Sequence, residues 1–348
     1  MEGKEMWYAH LRSVLGTEAD RYEIVSVAES GASGPRVVIL RDISSGKMYA
    51  LKYGETRVPI FQQVRNCQTM VSLFGERYIP EIFISGEKVM LMEAISGQTF
   101  HEAVIKSLYD LPSLVEAYKK ILEKFGEVWK KTAEPFSSTV SLARQPIPRA
   151  ERVREAVFRR VFDGQNLREI AGNKVVINEV ETGYSLDFLL ELMTDRYSSP
   201  NYTTLCHGDP NMDNIIIDSD MDWWLIDFEW VGRHDWRIPA SHFVGWWLSN
   251  ASFLKEASRI KVGNDTICIK YQIGQSELVS ALLAEAWKFM ENMGNFFKEK
   301  QFEQQIKLQL AILLLGDLRF LEARNRSQYA IPLLGEGLRL LTEIVSLS

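Results

Sequence analysis

Two adjoining stretches of this sequence decide its fold. Residues 205–218 read LCHGDPNMDNIIID, and residues 223–230 read WWLIDFEW. In each stretch a short apolar run, typical of a buried strand, adjoins acidic or amide side chains. The pattern predicts strand ends that present Asp209, Asn214 and Asp227, with the apolar run before Asp227 holding that residue rigidly.

These three side chains have the chemistry that phosphoryl transfer requires. The reaction needs a carboxylate that accepts the hydroxyl proton, and oxygen ligands that hold magnesium on the phosphates. Asp209 meets the first need, while Asn214, five residues on across a tight loop, meets the second together with Asp227. The alternative for such a short motif is a loop whose acids and histidine satisfy backbone groups.

The segments upstream predict a small antiparallel sheet. Residues 21–54 alternate and are rich in Val, Ile and Tyr, which indicates three strands. Helical spacing over 58–74 predicts one helix, and residues 82–84 and 88–92 return to strand-like composition. We therefore expect a five-stranded sheet with one helix in a first domain, residues 1–95.

After Gly97 the pattern becomes mostly helical. Residues 132–148, which contain three prolines, indicate a loop. We therefore predict an α+β chain with two lobes, a small antiparallel-sheet lobe and a larger, mostly helical lobe over residues 96–348. Helical periodicity covers residues 112–131, 150–171, 237–260, 276–296 and 300–324, with short strands near 203–206, 214–217 and 224–228.

Composition and charge narrow the class of protein. The 348 residues are 46% hydrophobic and 25% charged, as in globular enzymes, and the net charge of -6 argues against a nucleic-acid partner. The start of the chain has no apolar signal core, and the apolar run 311–315 is too short to cross a bilayer. We expect a cytoplasmic protein without membrane insertion; the oligomeric state stays open. Cys67, Cys206 and Cys268 are too far apart to predict a disulfide framework or a zinc site.

The motif H-G-D-x-x-x-x-N, followed by I-D-F-E-W, resembles the aminoglycoside phosphotransferase and choline kinase superfamily, which are relatives of protein kinases. The matching order of parts extends over most of the chain. The resemblance implies a protein-kinase-like fold with ATP and Mg²⁺ as cofactors. It implies that Asp209 is the catalytic base, that Asn214 and Asp227 bind magnesium, and that His207 supports the catalytic loop.

Three further segments resemble the nucleotide-binding parts of that superfamily. Lys52, in the third predicted strand, matches the lysine that reaches the phosphates. Gly31 and Ser33, in a small-residue turn, would let backbone N–H groups approach a phosphate, although a hairpin without a ligand has the same composition. Backbone groups of Glu93 and Ile95 match the hinge that hydrogen-bonds adenine.

One departure from the kinase pattern concerns the partner of Lys52. Kinases pair this lysine with a glutamate on the following helix, but the expected helix, residues 61–75, contains no acid. Glu55 and Glu76 flank the helix, and Gln63 lies on it. Whether one of these, or Asp227 alone, positions the lysine stays open.

The tryptophan-rich segment after Asp227 resembles the choline and ethanolamine kinase version of the superfamily. Aromatic faces hold an ammonium group well, and a nearby carboxylate complements its charge. Tryptophans at helical spacing also suit a packed core. The family has an Asp where this chain shows Ile238-Pro239-Ala240, so Asp235 is the candidate to replace it. The residues that carry the resemblance are Glu229, Trp230, His242, Phe243 and Trp246, and the candidate acceptor contacts are Glu229, Trp230, Asp235, Trp246 and Trp247.

The sequence therefore predicts an ATP-dependent phosphotransferase whose partner is a small molecule with a hydroxyl group. An amino alcohol or an aminoglycoside fits best; a sugar or a hydroxy amino acid stays open, as does the choice between ATP and GTP. A protein kinase is disfavoured because H-G-D replaces H-R-D and no D-F-G to A-P-E segment follows. The missing helix glutamate keeps a non-catalytic nucleotide-binding module as an alternative.

Overall fold

The computed structural model describes residues 2–28, 36–137, 139, 142–143, 145–251, 253–274, 276–321 and 326–347. These residues form two compact units. The first unit comprises residues 1–103 and 213–231, and the second comprises residues 104–212 and 232–348. The predicted domain boundary after Ile95 stays a prediction, and residues 213–231, with Asn214 and Asp227, pack with the N-terminal part of the chain.

The described helices and strands follow one another along the chain. In the N-terminal half they are α1 (Glu2–Leu15), β1 (Tyr22–Ala28), β2 (Arg36–Asp42), β3 (Met48–Tyr53), α2 (Ile60–Phe74), β4 (Ile82–Ser85), β5 (Val89–Glu93), β6 (Gln98–Thr99), α3 (Phe100–Ile105), α4 (Leu111–Thr132), β7 (Glu134–Pro135), α5 (Pro146–Phe158), β8 (Val161–Phe162), β9 (Gln165–Asn166), β10 (Lys174–Ile177) and β11 (Val180–Ser185). In the C-terminal half they are α6 (Leu186–Asp195), β12 (Tyr202–Cys206), β13 (Ile215–Ile217), β14 (Trp223–Leu225), β15 (Gly232–Asp235), α7 (Arg237–Ala251), β16 (Phe253–Val262), β17 (Thr266–Ile273), α8 (Glu277–Phe296), α9 (Phe302–Asp317) and α10 (Ala330–Ser346).

The first unit contains the predicted five-stranded antiparallel sheet, in the order β1-β2-β3-β5-β4. In β2 alternate residues are buried, and Val38 and Leu40 of this strand lie in the core of the sheet together with Leu51 of β3. Helix α1, which the sequence patterns did not reveal, covers this core with Trp7 and Leu11. The sheet and the helix α2 confirm the prediction for this part of the chain.

A second, three-stranded sheet in this unit carries the decisive motif. Strand β13 pairs antiparallel with β14 on one side and with β6 on the other. Gly97, just before β6, makes this approach possible, because a Cβ atom there would lie 2.3 Å from the carbonyl oxygen of Ile217. Because Gly97 has no side chain, β6 can pack this closely against the hairpin of β13 and β14.

The second unit is mostly helical and packs around aromatic side chains. The ring of Phe243 on α7 lies 5.2 Å from that of Phe125, and Tyr118, Trp129 and Phe289 complete the cluster. The hydroxyl of Tyr118 donates to the carbonyl of Phe243 at 3.0 Å, which fixes α7 against α4. Capping residues define helix starts here: Asp110 accepts from the Ser113 N–H, and Ser276 from the Val279 N–H.

Three helix predictions in this unit are wrong in extent. The helix expected over 300–324 ends at Asp317 as α9, and a 3-10 turn, Leu318–Phe320, follows it. The helix expected over 150–171 ends at Phe158, and β8 and β9 follow as a hairpin. Its turn is Asp163-Gly164, both with positive φ, which is the strongest short hairpin signal and outweighs the helical spacing.

The helix expected over 237–260 ends at Ala251, where the strand β16 replaces it. Strand β16 pairs with β17, and together with β10 and β11 they form a four-stranded sheet that the sequence did not reveal. Strand β17 follows β16 after one turn, and β17 pairs in turn with β10, which lies far upstream in the chain, so pairing rather than local periodicity decides the outcome.

The helices predicted over 112–131 and 276–296 are present as α4 and α8. Among the described helices, none has the combination of length and apolar composition that a bilayer crossing needs.

Candidate active site

The hairpin of β13 and β14 brings Asn214 and Asp227 to the same end of two paired strands. Ile215 pairs with Leu225, and one step further the N–H of Ile226 donates to the carbonyl of Asn214 at 3.0 Å. Asn214 and Asp227 therefore flank the open end of the hairpin. The preceding residue, Asp213, is anchored by the Nδ1 atom of His101 at 2.9 Å.

Asp227 has an uncommon backbone conformation, with φ of 64° and ψ of 78°. A non-glycine residue in this region stores about 1–3 kcal/mol of strain and persists only where its surroundings impose it. The surroundings here are the end of β14 and a single 3-10 turn, Phe228–Trp230, whose first carbonyl accepts from the Asn66 amide at 2.7 Å. Such strain at a carboxylate is typical of a functional site.

Lys52 on β3 contacts two acids that follow β14. Its Nζ atom lies 2.9 Å from Oδ1 of Asp227 and 3.4 Å from Oε1 of Glu229. The Lys52 and Glu229 side chains are buried, with 7% and 2% exposed, whereas Asp227 keeps 34% of its side chain accessible. Asp227 is thus the most accessible member of this group.

The second acid answers the question of the missing helix glutamate. Glu229 lies beside the lysine, while Glu55 pairs with Lys88 at the surface and the Gln63 amide donates to the carbonyl of Val58. Helix α2 contributes Asn66 instead, which holds the backbone at Phe228. Glu229, predicted as an acceptor contact, is therefore a second acidic partner of Lys52, supplied by the segment after β14 and not by α2.

The donor atoms around Asp227 fit a magnesium ion. Mg²⁺ prefers oxygen ligands and is usually held by one or two carboxylates together with substrate phosphates rather than by a complete protein cage. Asn214 and Asp227 supply an amide and a carboxylate oxygen from one rigid hairpin end. Within the described part of the chain, no cluster of three or more His, Cys, Asp or Glu residues forms an alternative metal site.

The predicted nucleotide hinge follows β5. The N–H of Glu93 donates to the carbonyl of Glu81 at 2.8 Å, so that N–H is committed to the protein. Ile95 lies in the irregular segment before Gly97. Gly31 and Ser33, the predicted phosphate-contacting residues, lie outside the described residues.

In the second unit, the strand β12 leads directly into His207, Gly208 and Asp209. Cys206, the last residue of β12, pairs with Gly232 of β15, which secures the strand end. Gly208 has φ of 79°, a conformation that glycine adopts without strain, and the chain turns there. His207 is fully buried, whereas 24% of the Asp209 side chain is accessible.

Asp209 contacts a histidine to which the sequence analysis assigned no role. The Nδ1 atom of His242, on α7, lies 3.0 Å from Oδ1 of Asp209, and the His242 side chain is buried. The H-F-x-x-W pattern drew attention to His242, but nothing in the sequence links it to Asp209, 33 positions away.

The candidate acceptor contacts have different surroundings within their own units. Trp246 lies one helical turn after His242 on α7 and is nearly buried. Trp247 belongs to the core and donates to the Tyr118 hydroxyl at 3.3 Å. Trp230, in the first unit, stacks with the guanidinium of Arg57, whose carbon lies 4.8 Å from the ring centre. Trp246 and Trp247 both lie on α7, the helix whose His242 contacts Asp209.

Asp235 lies in a fully buried ion-pair network. Both of its carboxylate oxygens accept hydrogen bonds from Arg237 at 2.8 Å, and Oδ2 also accepts from the Tyr197 hydroxyl at 3.2 Å. Burial alone would lower the pKa of Arg237, but the charge of Asp235 holds it above its ordinary value. Burial, with the charge of Asp235, raises the pKa of Tyr197. These contacts occupy Asp235 and favour a structural role over binding an acceptor.

Comparisons with known proteins identify the fold. No protein-family model and no curated protein sequence matches the chain. Solved structures do match: the ethanolamine kinase of Plasmodium vivax has a TM-score of 0.53 at 12% identity, over 98% of this chain and 88% of that one. The choline kinase LicA from Streptococcus pneumoniae also has a TM-score of 0.53 at 12% identity, over 99% of this chain and all of that one.

Aminoglycoside phosphotransferase APH(4)-Ia gives a TM-score of 0.55 at 12% identity, over 94% of this chain and 95% of that one. LicA has also been solved with AMP, and a mutant of APH(4)-Ia with AMP-PNP and hygromycin B. The chain therefore has the α+β, protein-kinase-like fold of these small-molecule kinases, as the sequence predicted.

Proposed function

We propose that this chain is a kinase that transfers the terminal phosphoryl group of ATP to a hydroxyl group of a small molecule. The observation that carries the proposal is the 2.9 Å contact of buried Lys52 with Asp227, at the hairpin end that also presents Asn214. A cation, a carboxylate and an amide oxygen in this arrangement match the needs of a nucleotide triphosphate with its magnesium. The shared fold supports the same class of reaction.

The first unit supplies the nucleotide contacts. Lys52 binds the phosphates, and Glu229 keeps its ammonium group in place. Asn214 and Asp227 hold Mg²⁺, which when bound offsets the charge of the phosphates. Adenine binds to the carbonyl of Glu93 and the N–H of Ile95, because the Glu93 N–H is already committed to Glu81. The assignment of Gly31 and Ser33 to the phosphates stays a prediction from the sequence.

Asp209 of the second unit activates the acceptor. Its accessible carboxylate accepts the proton of the acceptor hydroxyl and orients the oxygen for in-line attack on the phosphoryl group. The buried ring of His207 supports the loop that carries Asp209. Positioning and charge stabilisation, rather than a covalent intermediate, account for the rate in this class of reaction.

The acceptor that fits best carries an ammonium group, as an amino alcohol or an aminoglycoside does. Trp246 lies one turn from His242, on the helix that contacts the base, and an aromatic face attracts a cation by about 0.5–2 kcal/mol. Trp230 contacts Arg57 instead, and Asp235 pairs with Arg237.

The test is ADP release from MgATP across a panel of choline, ethanolamine, aminoglycosides, sugars and hydroxy amino acids, with GTP as the alternative donor. We expect release that depends on an ammonium-bearing acceptor. Phosphorylation of an uncharged sugar without turnover of any amine would contradict the acceptor class and leave the kinase class intact. Binding of MgATP without release for any acceptor would favour a non-catalytic nucleotide-binding module.

A further inference from the structure

The contact between His242 and Asp209 has a defined donor. A carboxylate accepts hydrogen bonds and cannot donate them when ionised, so at 3.0 Å the Nδ1 atom of His242 must carry the hydrogen. The contact uses Oδ1 of Asp209. His242 therefore fixes one oxygen of the carboxylate and, with it, the direction of the other.

The position of the imidazole is itself fixed by the core. Its neighbour Phe243 packs in the aromatic cluster, where its carbonyl accepts from the Tyr118 hydroxyl at 3.0 Å and its ring contacts Phe125. Trp247, one turn further on, donates to the same hydroxyl. His242 thus projects from a helix that cannot shift without disturbing the centre of the second unit.

We propose that His242 is the positioning residue for the base of this reaction, and that its Nδ1–H holds the Asp209 carboxylate in the orientation that meets the acceptor hydroxyl. The inference rests on the proposed function of Asp209. A base oriented by a third group is the arrangement that makes proton transfer efficient, because a misdirected carboxylate loses the in-line geometry. His242 acts only through Asp209.

The role predicts a specific pattern of kinetic defects. The partners of the pair both lie in the second unit, whereas Lys52, Asn214 and Asp227 of the nucleotide side lie in the first. Loss of the contact should lower kcat by about 10- to 100-fold, a part of the 10²- to 10⁴-fold that a positioned base contributes. The KM for MgATP should stay within about two-fold of the wild-type value.

The experiment compares three substitutions in the full chain with an acceptor identified by the panel. His242→Asn keeps an N–H near the Nδ1 position, whereas His242→Gln places its amide nearer the Nε2 position and His242→Ala has none. We expect His242→Asn to retain most of kcat and the other two to show the full loss. Ser249→Ala, which removes a buried hydroxyl from the same helix, is the matched control and should leave kcat unchanged.

Equal losses in all three variants, in step with a lower melting temperature, would overturn the proposal in favour of a structural role. An unchanged kcat in His242→Ala would also overturn the proposal, because the contact would then have no effect on turnover.

A substrate-free measurement separates this inference from the proposed function. In protein labelled with ¹⁵N at histidine, long-range ¹H–¹⁵N correlations report which ring nitrogen carries hydrogen. We expect a hydrogen on Nδ1 of His242, with its signal shifted by Asp209→Asn. A His242 ring protonated only at Nε2 would contradict the contact, whether or not an acceptor is known. Failure of the whole panel together with the expected signal would instead reject the kinase and keep the contact.

Discussion

Lys52 obtains both of its acidic partners from the segment that follows β14, and this distinguishes the site from the usual kinase arrangement. Asp227 and Glu229 are two positions apart, so one 3-10 turn presents both carboxylates to the same ammonium group. Helix α2 therefore does not have to supply an acidic partner for Lys52, and its Asn66 holds the 3-10 turn in place. The absence of a helix glutamate is thus no argument against activity.

Glu229→Gln tests this arrangement. A hydrogen bond to a charged group contributes about 1.5–3 kcal/mol, so loss of the carboxylate should weaken nucleotide binding about ten-fold or more. Asp227 still contacts Lys52, so binding should not vanish. Isothermal titration with MgATP measures the effect.

Glu55→Gln provides the control for this substitution. Glu55 forms a surface ion pair with Lys88 and should leave the affinity unchanged. A ten-fold loss in Glu55→Gln with none in Glu229→Gln would show that the wrong partner has been assigned.

Asp42, at the end of β2, makes the stability of the first unit sensitive to acid. The hydrogen bond from the Ser44 hydroxyl, together with those from the Ser44 N–H and Arg21, holds the pKa of Asp42 well below its ordinary value. A depressed pKa in the folded state contributes stability above the unfolded pKa of about 4, and this contribution is lost as the pH falls through the folded pKa.

Asp42→Asn should therefore lower the urea midpoint of unfolding at pH 7, because the variant lacks the ionised carboxylate. The difference between wild type and variant should shrink as the pH falls from about 5 towards 2. Midpoints at four or five pH values measure this. A difference that stays constant down to pH 2 would mean that the charge of Asp42 does not matter.

At the scale of elements, the hairpin of β13 and β14 depends on its contact with β6. Gly97→Ala would place a Cβ atom 2.3 Å from a backbone oxygen of Ile217, which cannot move aside as a side chain could. Forced packing of this kind costs about 1–3 kcal/mol. Because the hairpin carries Asn214 and Asp227, nucleotide affinity should fall together with the melting temperature.

Gly172→Ala is the matched control, since nothing lies within 4 Å of a Cβ atom at that position and its φ is not positive. Calorimetry on both variants decides the point. Equal melting temperatures for Gly97→Ala and wild type would show that β6 does not constrain the hairpin.

The elements that the sequence predicted well are those encoded locally. Strands β1, β2 and β3 are rich in Val, Ile and Tyr, and β13 and β14 are short apolar runs joined by a polar turn, so neighbouring residues suffice to predict them. The sequence predicted a helix where β16 lies. Pairing with β17, which itself pairs with β10, decides the conformation of β16. The sequence could place Asn214 beside Asp227 because β13 and β14, which these residues adjoin, are neighbouring runs joined by a turn.

The contacts that complete the site could not be predicted from the sequence, because they join residues that are far apart along the chain. Glu229 meets Lys52 across 177 positions, and His242 meets Asp209 across 33. The resemblance to kinases supplied roles for the motif residues but suggested a helix acid that this chain does not have. Only packing of the three-dimensional structure brings such partners together.

At the scale of the whole molecule, the residues of the proposed reaction are divided between the two compact units. The first holds Lys52, Asn214 and Asp227, and the second holds Asp209 and His242, although four residues of chain separate Asp209 from Asn214. Nucleotide binding and acceptor activation should therefore respond to different substitutions. A variant of Asp209 should bind nucleotide normally and fail in turnover.

The most direct test of the account is acceptor-dependent ADP release by Asp209→Asn, measured beside MgATP binding by the same protein. We predict that turnover falls by about 10²- to 10⁴-fold while the affinity for MgATP stays within about two-fold of wild type. Asp220→Asn makes the same chemical change at the exposed turn of the hairpin and should leave both quantities unchanged. Turnover by Asp209→Asn equal to that of wild type would contradict the assignment of Asp209 as the base, and with it the central claim.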